Sequence, residues 1–189
     1  ANNMLLVANS EGVTSYSLVD GQELQVYPAR PSSLQFDSLV PFKQLAVTST
    51  GLYAIAEDGL FIYSPGSNTW ILERSAGTSN WPTGYPTDTL ERGGDLMVAL
   101  YGGGVASWNM ATGNPNNLWS SANNLPSNSV IELLVSGGEL LVATDDAGIG
   151  RYDYVQGFWK SPWTTSNGLS SNSVSGIEHS TSNQGSFVT

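Results

Sequence analysis

The side chains of this chain that could do chemistry are carboxylates and aromatics in short polar segments. Glu11, Glu57, Asp58, Asp145 and Asp146 each stand just before one of the recurring glycines Gly12, Gly59 and Gly148. Hard oxygen ligands of this kind suit Ca²⁺. No D-x-D-x-D-G loop accompanies them, however, and acidic residues also favour turns and solubilise a surface poor in charge. No metal and no cofactor is assigned. Tyr85, Tyr101, Trp163 and the stretch 114–117 are the aromatic and amide candidates for contacting a ligand. A paired-carboxylate glycosidase would need two acids ~5–9 Å apart, and spacing alone brings no two of them together. The chain has one histidine, His179, and no cysteine. That excludes multi-histidine metal sites, thiol catalysis and disulfides. With no G-x-S-x-G elbow and no organised acid partner, His179 does not form a triad. The expectation is a non-enzyme.

Positioning these residues falls to short strands. Of the 189 residues 40% are hydrophobic, enough for a core, while only 12% are charged and 21 are glycine. This is a composition of strands and turns rather than a helix bundle. Six basic against 16 acidic residues give a net charge of −10, which disfavours nucleic acid. The apolar runs are about five residues, far below the ~20 of a membrane helix, so no membrane contact is expected. Glycine runs such as 102–104 lack the strand–loop–helix setting of a phosphate cradle and read as hairpin turns.

The strands repeat. Glycines 12, 59, 104 and 148 are spaced by 47, 45 and 44 residues. Each is followed four residues later by an aromatic (Tyr16, Tyr63, Trp108, Tyr152) and preceded four or five residues earlier by an alanine (Ala8, Ala54, Ala99, Ala143). The small alanine suits a strand facing a neighbouring sheet, and the glycine suits a turn at positive φ. Val130–Val135, Glu139–Thr144, Ile149–Tyr154 and Phe158–Lys160 read as four strands joined by turns. Four antiparallel strands per ~45 residues predict an all-β protein, a β-propeller, with about four blades' worth in this chain. Solenoid repeats are usually shorter, and helical repeats need a 3.6-residue period that is absent. The register accounts for every Trp: Trp70 and Trp159 share one position, Trp119 and Trp163 another, and Trp81 falls where Leu125 and Leu169 fall.

The segment 123–130 (Asn-Asn-Leu-Pro-Ser-Asn-Ser-Val), the segment 137–144 (Gly-Gly-Glu-Leu-Leu-Val-Ala-Thr) and the segment 148–153 (Gly-Ile-Gly-Arg-Tyr-Asp) together resemble the two-component-regulator propeller repeat. The match is good over 123–176, moderate over 87–122 and reduced to spacing over 1–86. One departure is Leu141, with Met97 and Leu52 in the equivalent places, where the family usually has Trp. The resemblance implies an extracytoplasmic sensor or cell-surface propeller, often non-catalytic, that meets ligands or partners on its top face. That face would carry the turns between second and third strands and the blade-to-blade loops 28–40, 75–87, 114–128 and 161–173.

Blades are expected at 1–40 (incomplete), 41–86, 87–129, 130–173 and 174–189 (incomplete) of one propeller domain. The chain enters at a second strand, Met4–Ala8, and reads as a mature or excised piece of a longer propeller. Val174–His179 supplies a first strand, and 185–189 resembles the start of a second. Open sheet edges of this kind predict self-association of the isolated chain, with 183–189 unpaired or strained. The function expected is ligand binding or protein interaction, with an unknown ligand or partner. The rival readings are a propeller hydrolase or lyase acting on a polysaccharide or small substrate, and a structural spacer.

Overall fold

The computed structural model describes residues 4–9, 12–28, 41–78, 81–179 and 187–188. The chain divides into two compact units, Ala1–Trp81 and Pro82–Thr189. The first unit holds a three-stranded sheet, β1 (Met4–Asn9), β2 (Gly12–Ser17) and β3 (Glu23–Val26), in that order. It also holds a four-stranded sheet of β4 (Gln44–Val47), β5 (Leu52–Ala56), β6 (Gly59–Ser64) and β7 (Thr69–Ser75). In the second unit β8 (Tyr85–Arg92), β9 (Asp95–Tyr101), β10 (Gly104–Asn109) and β11 (Asn114–Trp119) form one four-stranded blade. The next is β12 (Val130–Ser136), β13 (Glu139–Thr144), β14 (Ile149–Asp153) and β15 (Phe158–Trp163). A two-stranded ladder, β16 (Ile177–Glu178) and β17 (Phe187–Val188), follows. Among the described residues every strand ladder is antiparallel and joins strands consecutive in the chain, as the turn spacing predicts.

The first unit is cored by aromatics. Val13, Tyr27, Phe42, Ala54, Ala56, Phe61 and Trp70 form one buried cluster, in which the Phe42 ring lies 4.9 Å from Trp70 and 5.5 Å from Phe61. The Trp70 indole donates to the Pro28 carbonyl at 2.9 Å, so its polar edge is satisfied as the ring is buried. In the second unit Met97, Ala99, Val105 and Trp119 of one blade pack on Leu133, Leu140 and Val142 of the next. Ala143 and Ile149 in turn pack against Val174 and Ile177.

One sequence reading needs correction. Ala99 and Ala143 pair with the residue just after the marker glycine, Val105 and Ile149, and so does Ala8 with Val13. Ala54 instead pairs with Phe61, two residues after Gly59, and Ile55 takes the equivalent place opposite Leu60. The turn before Gly59 is shorter than those before Gly104 and Gly148, so counting back five residues lands on the opposite face of the strand. Ala54 accordingly packs with Val13 of the preceding sheet.

Other boundaries also move. The loop expected at 114–128 begins as strand β11, leaving 120–129 as the connection, and Trp163 is the last residue of β15 rather than a loop residue. Only 177–178 of the expected strand Val174–His179 are paired. They pair with 187–188, which are therefore laddered rather than unpaired. The loop expected at 28–40 lies, beyond Pro28, outside the described residues, as does Glu11.

A recurring carboxylate joins one blade to the next. The Leu133 N–H donates to Asp88 Oδ2 at 2.9 Å, and the Ile177 N–H donates to Glu132 Oε2 at 2.8 Å. Asp88 and Glu132 are 44 residues apart, and each sits just past a register shift in the innermost strand of its blade. The bulge turns the acid out of the ladder toward the neighbouring sheet. Burial raises the Asp88 carboxyl above its ordinary range, opposed by the N–H groups of Leu133 and Thr89.

Candidate functional site

Each blade of the second unit has two ends. The lower end carries the Gly93-Gly94 and Gly137-Gly138 turns; the upper end carries the turns into β10 and β14 and the connections to the following strand. The upper connections are built by the repeated Leu-x-Ser-Asn-Ser-Val motif. Asn128 and Asn172 each accept, on the side chain, the N–H of Ser121 or Thr165 (2.7 and 2.8 Å). Their carbonyls accept from Gly104 and Gly148 (3.2 and 2.8 Å). Ser120 and Thr164 cap short 3₁₀ turns with Asn123 and Asn167 answering reciprocally. Most polar atoms of the motif are thus engaged in holding the loops.

The same end brings several of the sequence-predicted residues together. Tyr85 and Tyr101 are directly opposite on β8 and β9 and are 47% and 43% exposed. The Tyr101 hydroxyl donates to Asp145 Oδ2 at 3.2 Å, across to the next blade, and the Ser173 hydroxyl donates to Oδ1 at 2.8 Å. Asp146 is exposed beside Asp145. Trp163 pairs with Ile149 at the end of its sheet, its ring 4.6 Å from the Arg151 guanidinium. Trp163 remains 37% exposed, whereas its repeat counterpart Trp119 is 8% exposed, covered by Tyr152 and Trp159. Glu57 and Asp58 belong to the first unit. Glu57 lies 3.6 Å from the Lys43 ammonium, and the Asp58 carboxylate oxygens are buried. The upper end of the second unit therefore unites Tyr85, Tyr101, Asp145 and Asp146, a rim of rings and acids that could take hydrogen-bonding and stacking partners. His179 is exposed, and among the described residues no three or more His, Asp or Glu side chains converge on a metal position.

A second concavity escaped the sequence reading. At the lower end, a pocket of about 550 Å³ is lined by Arg92, Asp95, Ser107, Asn116, Trp119 and Tyr152 among others. Of the lining residues, Asn116 and Asn117 belong to the stretch 114–117 singled out in the sequence. Comparison of repeat copies 44 residues apart would have shown the signal. On the last four-stranded blade Glu139, Arg151, Asp153 and Lys160 occupy the places of Asp95, Ser107, Asn109 and Asn116.

Those four make an ion network. Arg151 and Lys160 reach Glu139 at 2.9 and 2.7 Å, and Lys160 reaches Asp153 at 2.7 Å. Hydrogen bonding from Arg151, then Lys160, holds the Glu139 carboxyl below its ordinary range against the opposing effect of desolvation. Lys160 does the same for Asp153. A carboxyl depressed in the fold adds stability above its unfolded pKa, and that stability is lost as the pH falls through the folded value. Melting temperature should therefore drop as the pH falls below about 4, and Glu139→Gln should flatten that drop. Parallel acid profiles for the two proteins would refute the assignment.

No family model matches the chain, and no curated protein does. Solved structures do. The extracellular domain of BT4673 from B. thetaiotaomicron, assigned as a one component system, matches over 100% of this chain at 16% identity and a TM-score of 0.72. The extracellular domain of BT3049 from the same organism, assigned as a hybrid two component system, matches over 100% at 14% identity and a TM-score of 0.72. The WD40 domain of Neurospora crassa Pan2 matches over 100% at 12% identity and 0.61. The chain spans 24% of the length of each of the first two structures and 57% of the third. At these identities the likeness concerns the fold, which is that of β-propeller blades. Among the described residues no helix is long and apolar enough to cross a membrane.

Proposed function

We propose that this chain is a ligand-binding or protein-interaction segment of a β-propeller in an extracytoplasmic sensor or cell-surface protein, and that it works without catalysis. The observation that carries the reading is the upper rim: two half-exposed tyrosines paired across β8 and β9, of which Tyr101 is hydrogen-bonded to Asp145 of the next blade. Exposed rings backed by a rigid sheet offer contact area at little entropic cost. The likeness of the blades to extracellular sensor domains and the resemblance of the repeat to the two-component-regulator family favour the extracytoplasmic setting.

The test is binding to an array of oligosaccharides and peptides by the wild type, by Tyr101→Ala and by Asp145→Asn. The wild type should capture a defined class, both variants should lose it, and both should melt within about 1 kcal/mol of the wild type, since they alter exposed groups. Capture insensitive to both changes, or cleavage of the arrayed material, would overturn the proposal.

Self-association of the isolated chain belongs to the same reading. Strand β1 is an edge strand of its described sheet and exposes Met4, Leu5 and Val7, a template for pairing with a second copy. Light scattering should show a species larger than a monomer at high micromolar concentration; a clean monomer would refute it.

A further inference from the structure

The lower pocket of the second unit lies where the side chains change between repeat copies. On the blade of β12–β15, Arg151 and Lys160 extend across the sheet to Glu139 and Asp153. On the blade of β8–β11, the equivalent positions are Ser107 and Asn116, both too short to cover the same ground. Asn116 Nδ2 and Asn109 Nδ2 still hold the equivalent acid, Asp95, at 2.6 and 3.1 Å. The pocket there has a volume of about 550 Å³, within the range of small-molecule sites.

Its charges are separated. Arg92 and Asp95 are directly opposite across the Gly93-Gly94 turn, yet among the described residues they form no ion pair. The Arg92 guanidinium lies 3.4 Å from the centroid of the Tyr154 ring, and the Tyr154 hydroxyl is directed to Met97 Sδ at 3.3 Å. Lys43, Arg151 and Lys160, by contrast, are all in ion pairs. The guanidinium also interacts with the Tyr154 hydroxyl, and with five N–H donors it has further ones for a carboxylate. Asp95 is positioned by two neutral amides and retains spare lone pairs. The rings of Trp119 and Tyr152, 5.1 Å apart, line the same pocket.

From this arrangement we infer that the lower pocket binds a free α-amino acid with a large apolar or aromatic side chain, its carboxylate on Arg92, its ammonium on Asp95 and its side chain against Trp119 and Tyr152. The inference goes beyond the upper-rim reading and concerns the opposite end of the blades, so either can fail without the other.

Calorimetric titration of the protein with L-tryptophan and L-leucine, with L-tryptophan methyl ester and N-acetyl-L-tryptophan as partners lacking one charge each, tests it. At least one of the two amino acids should bind at one site per chain. For tryptophan the ester and the acetyl derivative should each bind at least tenfold more weakly. Asp95→Asn should weaken tryptophan at least tenfold while leaving N-acetyl-tryptophan within twofold, and Arg92→Gln should do the same with respect to the methyl ester. Circular dichroism establishes that each variant is folded; should one not be, the derivative series on the wild type decides. Absence of saturable binding by both amino acids, or equal affinity for tryptophan and its two derivatives, overturns the proposal.

Discussion

Gly148→Val is expected to destabilise the protein by about 3 kcal/mol or more, because two separate costs meet at that position. Gly148 has φ +81°, in the left-handed region where a β-branched residue is strained. A Cβ built there would also lie 2.0 Å from the Trp163 carbonyl oxygen, a backbone atom that cannot swing aside. The same construction recurs at Gly104, with φ +84° and the Trp119 carbonyl 2.2 Å away. The marker glycine of the repeat thus lets the third strand start directly beneath the end of the fourth. Gly138→Ala separates the two costs: its φ is +85° but nothing lies within 4 Å of the added Cβ, so it should lose only about 1 kcal/mol. Denaturant unfolding of both variants provides the measurement. A Gly148→Val protein within 1 kcal/mol of the wild type would refute the steric account.

The second large effect is expected for Ala99→Leu, at about 1–3 kcal/mol from overpacking. Ala99 is completely buried and belongs to the cluster that joins its blade to Leu133 and Val142 of the next. Three added carbons must either push the sheets apart or force neighbours from their rotamers. Ala143→Leu should behave alike, against Val174 and Ile177. Unchanged thermal melts for both would mean that these alanines do not set the spacing between sheets.

Much of this was legible in the residues because a propeller blade writes its period directly into the chain. The bounds of Glu139–Thr144 are legible to the residue, since Gly-Gly and Asp-Asp-Ala-Gly turns bracket it. Trp81, Leu125 and Val130 proved buried where the repeat required large apolar residues. The side of the strand was less legible than its existence. Ala54 faces the preceding sheet because one residue fewer in a turn inverts every side chain before it. Asn114–Trp119 contains a proline and three asparagines, a composition typical of loops, yet an outermost strand tolerates it because one of its edges is free of the ladder. The lower pocket was least legible. It depends on what Ser107 and Asn116 are not, a contrast that emerges only when each copy is compared with the one 44 residues on.

The carboxylate link between blades has an evolutionary corollary. In each join the acid, Asp88 or Glu132, comes from one copy, and the partner is a main-chain N–H of the copy that follows, at Leu133 or Ile177. A side chain asks for chemistry in its partner; a peptide group asks only for position. A duplicated blade therefore carries its own fastener and can be set before any successor, whatever that successor's sequence. Drift in the receiving copy leaves the fastening intact, with proline the one residue that would remove the donor.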